Sequence, residues 1–90
     1  MESIFQVNPE LNIPIYRQLV DAIRAAVKKG LLTGGQQLPT VQDLSADLGI
    51  SIGTIKRAYD ELERAGIVDK AQGRGTFVSY HPMGEESRKE

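Results

Sequence analysis

From Pro14 onward the apolar positions fall at Tyr16, Leu19, Val20, Ile23, Ala26 and Val27. Steps of three, four and seven put these residues on one face of a helix. Pro14 suits the start of that helix, where a missing N–H does no harm. Lys28 and Lys29 suit its last turn, and Gly30 its left-handed close. Gly34-Gly35 and Pro39 forbid continuation, and Leu32 and Leu38 are expected to pin the intervening loop to the core. Thr40 then offers an N-cap, with Asp43 three residues on as a weak capping box. Val41, Leu44 and Leu48 fit one face of a short second helix, stopped by Gly49, with Ile50 as an apolar plug. Ser51 caps a third helix, with Ile55, Ala58, Tyr59 and Leu62 on its inner face and Gly66 at its end. Arg57 with Glu61, and Asp60 with Arg64, are spaced to pair along it.

The period then changes. Ile67, Val68, Thr76, Phe77 and Val78 favour strands, and Gly73-Arg74-Gly75 between them predicts a hairpin turn. The expected fold is α+β, mostly α: three helices and a two-stranded hairpin. The chain divides into an N-terminal arm over 1–12, one domain over 13–80, and a polar tail or linker start over 81–90. Tyr16, Tyr59 and Phe77 are expected in the core. His81, the single histidine, falls in the tail and suggests no role.

Two short helices joined through a glycine are the signature of a helix-turn-helix. Ser45 is small where the helices must cross, Gly49 permits the turn and Ile50 anchors it. The second of the two helices would enter a major groove by its N-terminal outward face. Ser51, Ile52, Gly53, Thr54, Lys56 and Arg57 are the candidate readers, and the helix N-terminus capped by Thr40 can present N–H groups to a phosphate. The hairpin is then a wing. Its Arg74 would reach a neighbouring minor groove, whose potential attracts arginine where A·T pairs narrow it. Gly73 and Gly75 would let the backbone approach the phosphates, and Thr76 could donate to one. As structural residues, Thr40 and Ser51 are helix caps, and Lys56 and Arg57 a solvated pair; the caps can serve both purposes.

"PIYRQL", "GLLTGGQQLPTVQDLSADLGIS", "TIKRAYDELERAGIV" and "GRGTFV" stand in this order along residues 13–79. Together they resemble the DNA-binding domain of GntR-type bacterial transcription regulators, with the YtrA-like and MocR-like branches nearest. The resemblance implies a winged helix-turn-helix that dimerises on a two-fold symmetric operator in double-stranded DNA and represses transcription until an effector binds a C-terminal domain. It also implies a base-reading arginine where this chain has Gln42, which could still read adenine, and often one where it has Ile52, while the basic character at Lys56 is kept. Only about ten residues follow the hairpin, so the effector domain is not expected within these 90 residues. The chain is then expected to be monomeric or weakly dimeric, to bind DNA weakly alone, and not to answer small molecules.

Composition changes this picture little. The net charge of −1 does not by itself nominate nucleic acid. Residues 51–80 carry five Lys/Arg against four Asp/Glu, while residues 1–50 carry four against five. The alternative is a winged helix that binds protein, which salt distinguishes, because phosphate contacts release counterions. The absence of cysteine excludes disulfides and thiolate metal sites. With no cluster of histidine and carboxylates and no phosphate-cradling loop, neither an enzyme nor a cofactor or metal is expected. No apolar run is long enough for a membrane span and no secretory signal opens the chain, so a cytoplasmic protein is expected.

Overall fold

The computed structural model describes residues 4–80; the tail expected over 81–90 lies outside the described residues. The helices are α1 (Ile15–Lys28), α2 (Val41–Leu48) and α3 (Ile52–Arg64), followed by β1 (Val68–Ala71) and β2 (Gly75–Val78). The apolar stripes read from the sequence meet as one core. Leu19, Val20, Ile23, Ala26 and Val27 of α1 pack with Ile55, Ala58, Tyr59 and Leu62 of α3, and Leu44, Ile67, Val68 and Val78 complete the cluster. Leu32 and Leu38 are buried in it, which anchors both ends of the α1–α2 loop.

The two expected caps form. The Asp43 N–H donates to the Thr40 hydroxyl at 3.0 Å, and the Thr54 N–H to the Ser51 hydroxyl at 3.2 Å. Gly49 adopts φ +69°, so the chain leaves α2 through the left-handed region that non-glycine residues enter only at a cost. Its N–H and that of Ile50 both donate to the Ser45 carbonyl, at 2.9 and 3.2 Å. The Ser45 hydroxyl in turn donates to the Ile50 carbonyl. Ser45 is therefore more than a small residue at a crossing: it closes the turn between the helices from both sides.

The hairpin differs from expectation by one residue. β1 and β2 are antiparallel with Val68 opposite Val78 and Ala71 opposite Gly75, so the turn is Gln72-Gly73-Arg74 and Gly75 already belongs to the strand. The Arg74 N–H donates to the Ala71 carbonyl at 2.8 Å, which closes the turn. A third stretch of extended backbone lies along the outer edge of β2. Gly35 donates to Val78, Val78 to Gln36 and Leu38 to Thr76, at 2.7–2.8 Å, and Gln37 faces Phe77. The loop before α2 thus holds the hairpin in place.

Phe77 is half-buried and stands outside the core, because strand alternation gives the inner face to Val78. Tyr16 is also half-buried, at the margin of the core. The N-terminal arm is docked, with Ile4, Phe5 and Val7 against the core. The Gln18 side chain accepts from the Asn8 N–H at 2.7 Å and donates to the Asn8 and Ile13 carbonyls at 3.0 and 2.9 Å. One α1 side chain thereby fastens the arm and the helix entry together.

Among the described residues, a Cβ added at Gly49 would meet no atom within 4 Å beyond its chain neighbours. Gly49→Ala is therefore expected to cost only the left-handed backbone, about 1 kcal/mol. Urea unfolding measures it; a loss of several kcal/mol would mean that the turn is sterically closed as well.

Candidate nucleic-acid interface

Tyr59 fixes the frame of the site. It is 1% exposed, and its hydroxyl donates to the Pro39 carbonyl at 2.8 Å. Burial raises the phenol above its usual pKa, so it stays a neutral donor. Pro39 directly precedes the Thr40 cap, so this bond holds the N-terminus of α2 beside the first turns of α3. The result is an open cleft of about 380 Å³ lined by Thr40, Val41, Gln42, Ile52, Lys56, Tyr59, Lys70, Gly75 and Thr76.

Six residues expected from the sequence meet in this cleft: Thr40 and Gln42 from α2 and its cap, Ile52 and Lys56 from α3, and Gly75 and Thr76 from the wing. The other six stand outside its lining. Ser51 and Thr54 pair their hydroxyls at 2.9 Å. That contact uses one hydroxyl proton and leaves the other free for an outside acceptor. Gly53 presents bare backbone, with no atom from elsewhere in the described residues within 4 Å of where a Cβ would stand. Gly73 and Arg74 form the wing tip.

Arg57 departs from its expected pairing with Glu61. Its guanidinium lies over the Tyr16 ring, 3.9 Å from the centroid, a cation–π contact between α3 and α1. Glu61 pairs instead with Arg64 at 3.1 Å. The expected Asp60–Arg64 pair is likewise replaced. Lys70 of β1 donates to Asp60 and lies 3.6 Å from Glu63. Lys70, although it lines the cleft, is therefore balanced by carboxylates. Lys56 forms neither a hydrogen bond nor a salt bridge among the described residues, though its charge helps to lower the Asp60 pKa.

The wing tip is braced by a residue that the sequence reading passed over. Gln37 donates through Nε2 to the Arg74 carbonyl at 3.0 Å. The same nitrogen would lie 2.7 Å from a Cβ at Gly75, where φ is +124°. Gly75 is thus required by the Gln37 brace and by its own backbone, a reason distinct from approach to phosphate. Gly73 has φ +79° and open space around it. The Arg74 guanidinium has no hydrogen-bond or ion-pair partner among the described residues. Nothing local marks Gln37, which acts 37 residues away along the chain.

Two helices crossing at a glycine turn, the second with an exposed first turn, and a hairpin fastened beside them define a winged helix-turn-helix DNA-binding domain. The profile of the gntR family of bacterial regulatory proteins matches residues 15–78. The transcriptional repressor YtrA of Bacillus subtilis is 36% identical over 76 residues, which cover 84% of this chain and 58% of that protein. The structure of YtrA from Sulfolobus acidocaldarius, a GntR-family transcription factor, superposes with a TM-score of 0.79 at 34% identity, covering 86% of this chain and 81% of that one. The DNA-binding domain of AraR in complex with operator ORX1 gives 0.72 at 30% identity, covering 82% and 93%. The chain belongs to the GntR family, and its relatives point to the YtrA-like branch. It spans a little over half, 58%, of the Bacillus repressor.

Asp60 carries a pH dependence. The hydrogen bond from Lys70, helped by the charges of Lys70, Lys56 and Arg64, outweighs desolvation and holds its carboxyl below the usual value. A lowered folded-state pKa stabilises fully above the unfolded-state value, about 3.9, and the effect is lost as pH falls through the folded value. Because the pair is exposed, Asp60→Asn is expected to cost less than about 1 kcal/mol at neutral pH. Urea unfolding across acid pH should show the gap to wild type closing below the ordinary aspartate range. A gap that widens in acid would contradict the assignment.

Proposed function

We propose that this chain is the DNA-binding part of a transcription regulator, acting as a repressor and binding as a homodimer on a two-fold symmetric operator. The observation that carries the reading is the convergence of α2, α3 and the wing on one open cleft, beside a wing arginine whose guanidinium has no hydrogen-bond or ion-pair partner among the described residues. Several relatives are named as repressors, and AraR binds operator DNA through a domain of this shape. A single module of this kind covers roughly 600–1,000 Å² of DNA contact, so two domains on one operator would supply the affinity that one lacks.

The roles divide by chemistry. Lys56 and Gln42 face the major groove, where lysine suits guanine and glutamine suits adenine. Thr40, Ser51, Thr54 and Thr76 offer hydroxyls, and Gly53 and Gly73 bare backbone, to flanking phosphates. Arg74 enters the minor groove from the wing. Arg57 is committed to Tyr16 and sets the packing of α3 on α1 instead of reading a base.

Selection of binding sites from random DNA by the chain tests the whole reading; a two-fold repeat supports it and the absence of enrichment removes it. On the selected duplex, Lys56→Ala is expected to cost about 1–3 kcal/mol and to relax preference at one base pair. Arg57→Ala should leave that preference unchanged. Equal weakening on all sequences would make Lys56 a phosphate contact. Arg74→Ala is expected to weaken binding more on A·T-rich flanks than on G·C-rich ones; equal loss on both would place Arg74 on phosphate. Affinity should fall steeply with salt throughout, and a salt-independent complex would point to a protein partner instead.

A further inference from the structure

One wall of the cleft cannot form a hydrogen bond. Ile52 is the first residue of α3 and is 48% exposed. It belongs neither to the buried core nor to the apolar side chains packed against it, so folding does not account for its exposed face. It shares the cleft with Gln42 and Lys56, whose side chains carry hydrogen-bonding groups suited to base edges.

Pressing an isoleucine against a polar base edge would strip water from that edge and replace no hydrogen bond. The major groove offers one apolar feature, the C5-methyl of thymine. We propose that Ile52 is a specificity-determining residue that selects a thymine methyl in each half-site, beside the base pairs contacted by Gln42 and Lys56. The proposal rests on the DNA-binding reading above and narrows the class of operator. Where an arginine would demand the acceptors of guanine, Ile52 rewards a methyl group and leaves a G·C pair with nothing to offer it.

The probe is the duplex enriched from random DNA by the whole chain, resynthesised with each thymine in turn replaced by uracil. Uracil deletes the methyl and keeps every hydrogen-bonding group. One thymine per half-site is expected at which the replacement weakens binding about fourfold, the worth of one buried methyl. Ile52→Ala should bind the thymine and uracil duplexes alike at that position. The scan uses the unaltered chain, so its result does not depend on how the variant folds. A flat uracil scan overturns the proposal, as does a methyl effect that survives in Ile52→Ala. If no duplex is enriched at all, the DNA-binding reading falls and this one with it.

Discussion

The hydrogen bond from the Tyr59 hydroxyl to the Pro39 carbonyl sets the geometry on which the other elements rest. A tyrosine buried in a core must place its hydroxyl against a partner, since an unpaired one costs about 1–3 kcal/mol. Here the partner is the last carbonyl before the α2 cap. The requirement therefore fixes the start of α2 relative to α3, and with it the spacing of Gln42 from Ile52 and Lys56. The apolar stripe of α3 supplies the burial and the phenolic oxygen supplies the position.

A second constraint orients the wing. β2 lies between β1 and the stretch before α2, so its backbone is paired on both edges. A two-stranded hairpin alone is marginal in water. The additional pairing and the Gln37 brace on the Arg74 carbonyl turn a weak ribbon into a fixed arm. Lys70 adds a tie to α3 through Asp60 and Glu63. Its charge is then spent inside the protein, and Lys56 and Arg74 are left as the cleft and tip cations without a salt bridge among the described residues.

The helices were legible because their signals are local. Stripe spacing, the Thr40 and Ser51 caps and the Gly49 stop all act within one or two turns, and each appears where the pattern puts it. Six of the twelve candidate residues meet in one cleft, because a helix-turn-helix and its wing converge by topology. What was not legible acts over distance. Glu61 lies four residues from Arg57, yet the Tyr16 ring of another helix takes the guanidinium. Lys70 captures Asp60 from across the α3–β1 junction. Gly73-Arg74-Gly75 read as a symmetric turn, but strand register shifted the turn to Gln72–Arg74. Phe77 has a core-like side chain on the strand face that points away from the core, and no count of apolar residues reveals which face of an edge ribbon will be covered.

The pairing of residues 36–38 with 76–78 joins two points that enclose both helices of the helix-turn-helix. Closing so long a loop costs entropy that grows only slowly with its length, and it is met once, when these strands meet. After closure, neither helix can swing away without breaking backbone pairs at the base of the wing. α3 and the wing are therefore expected to open to solvent as one cooperative unit instead of fraying one after the other. This closed ring of backbone keeps the first turns of α3 and the tip of the wing at a fixed spacing from one another.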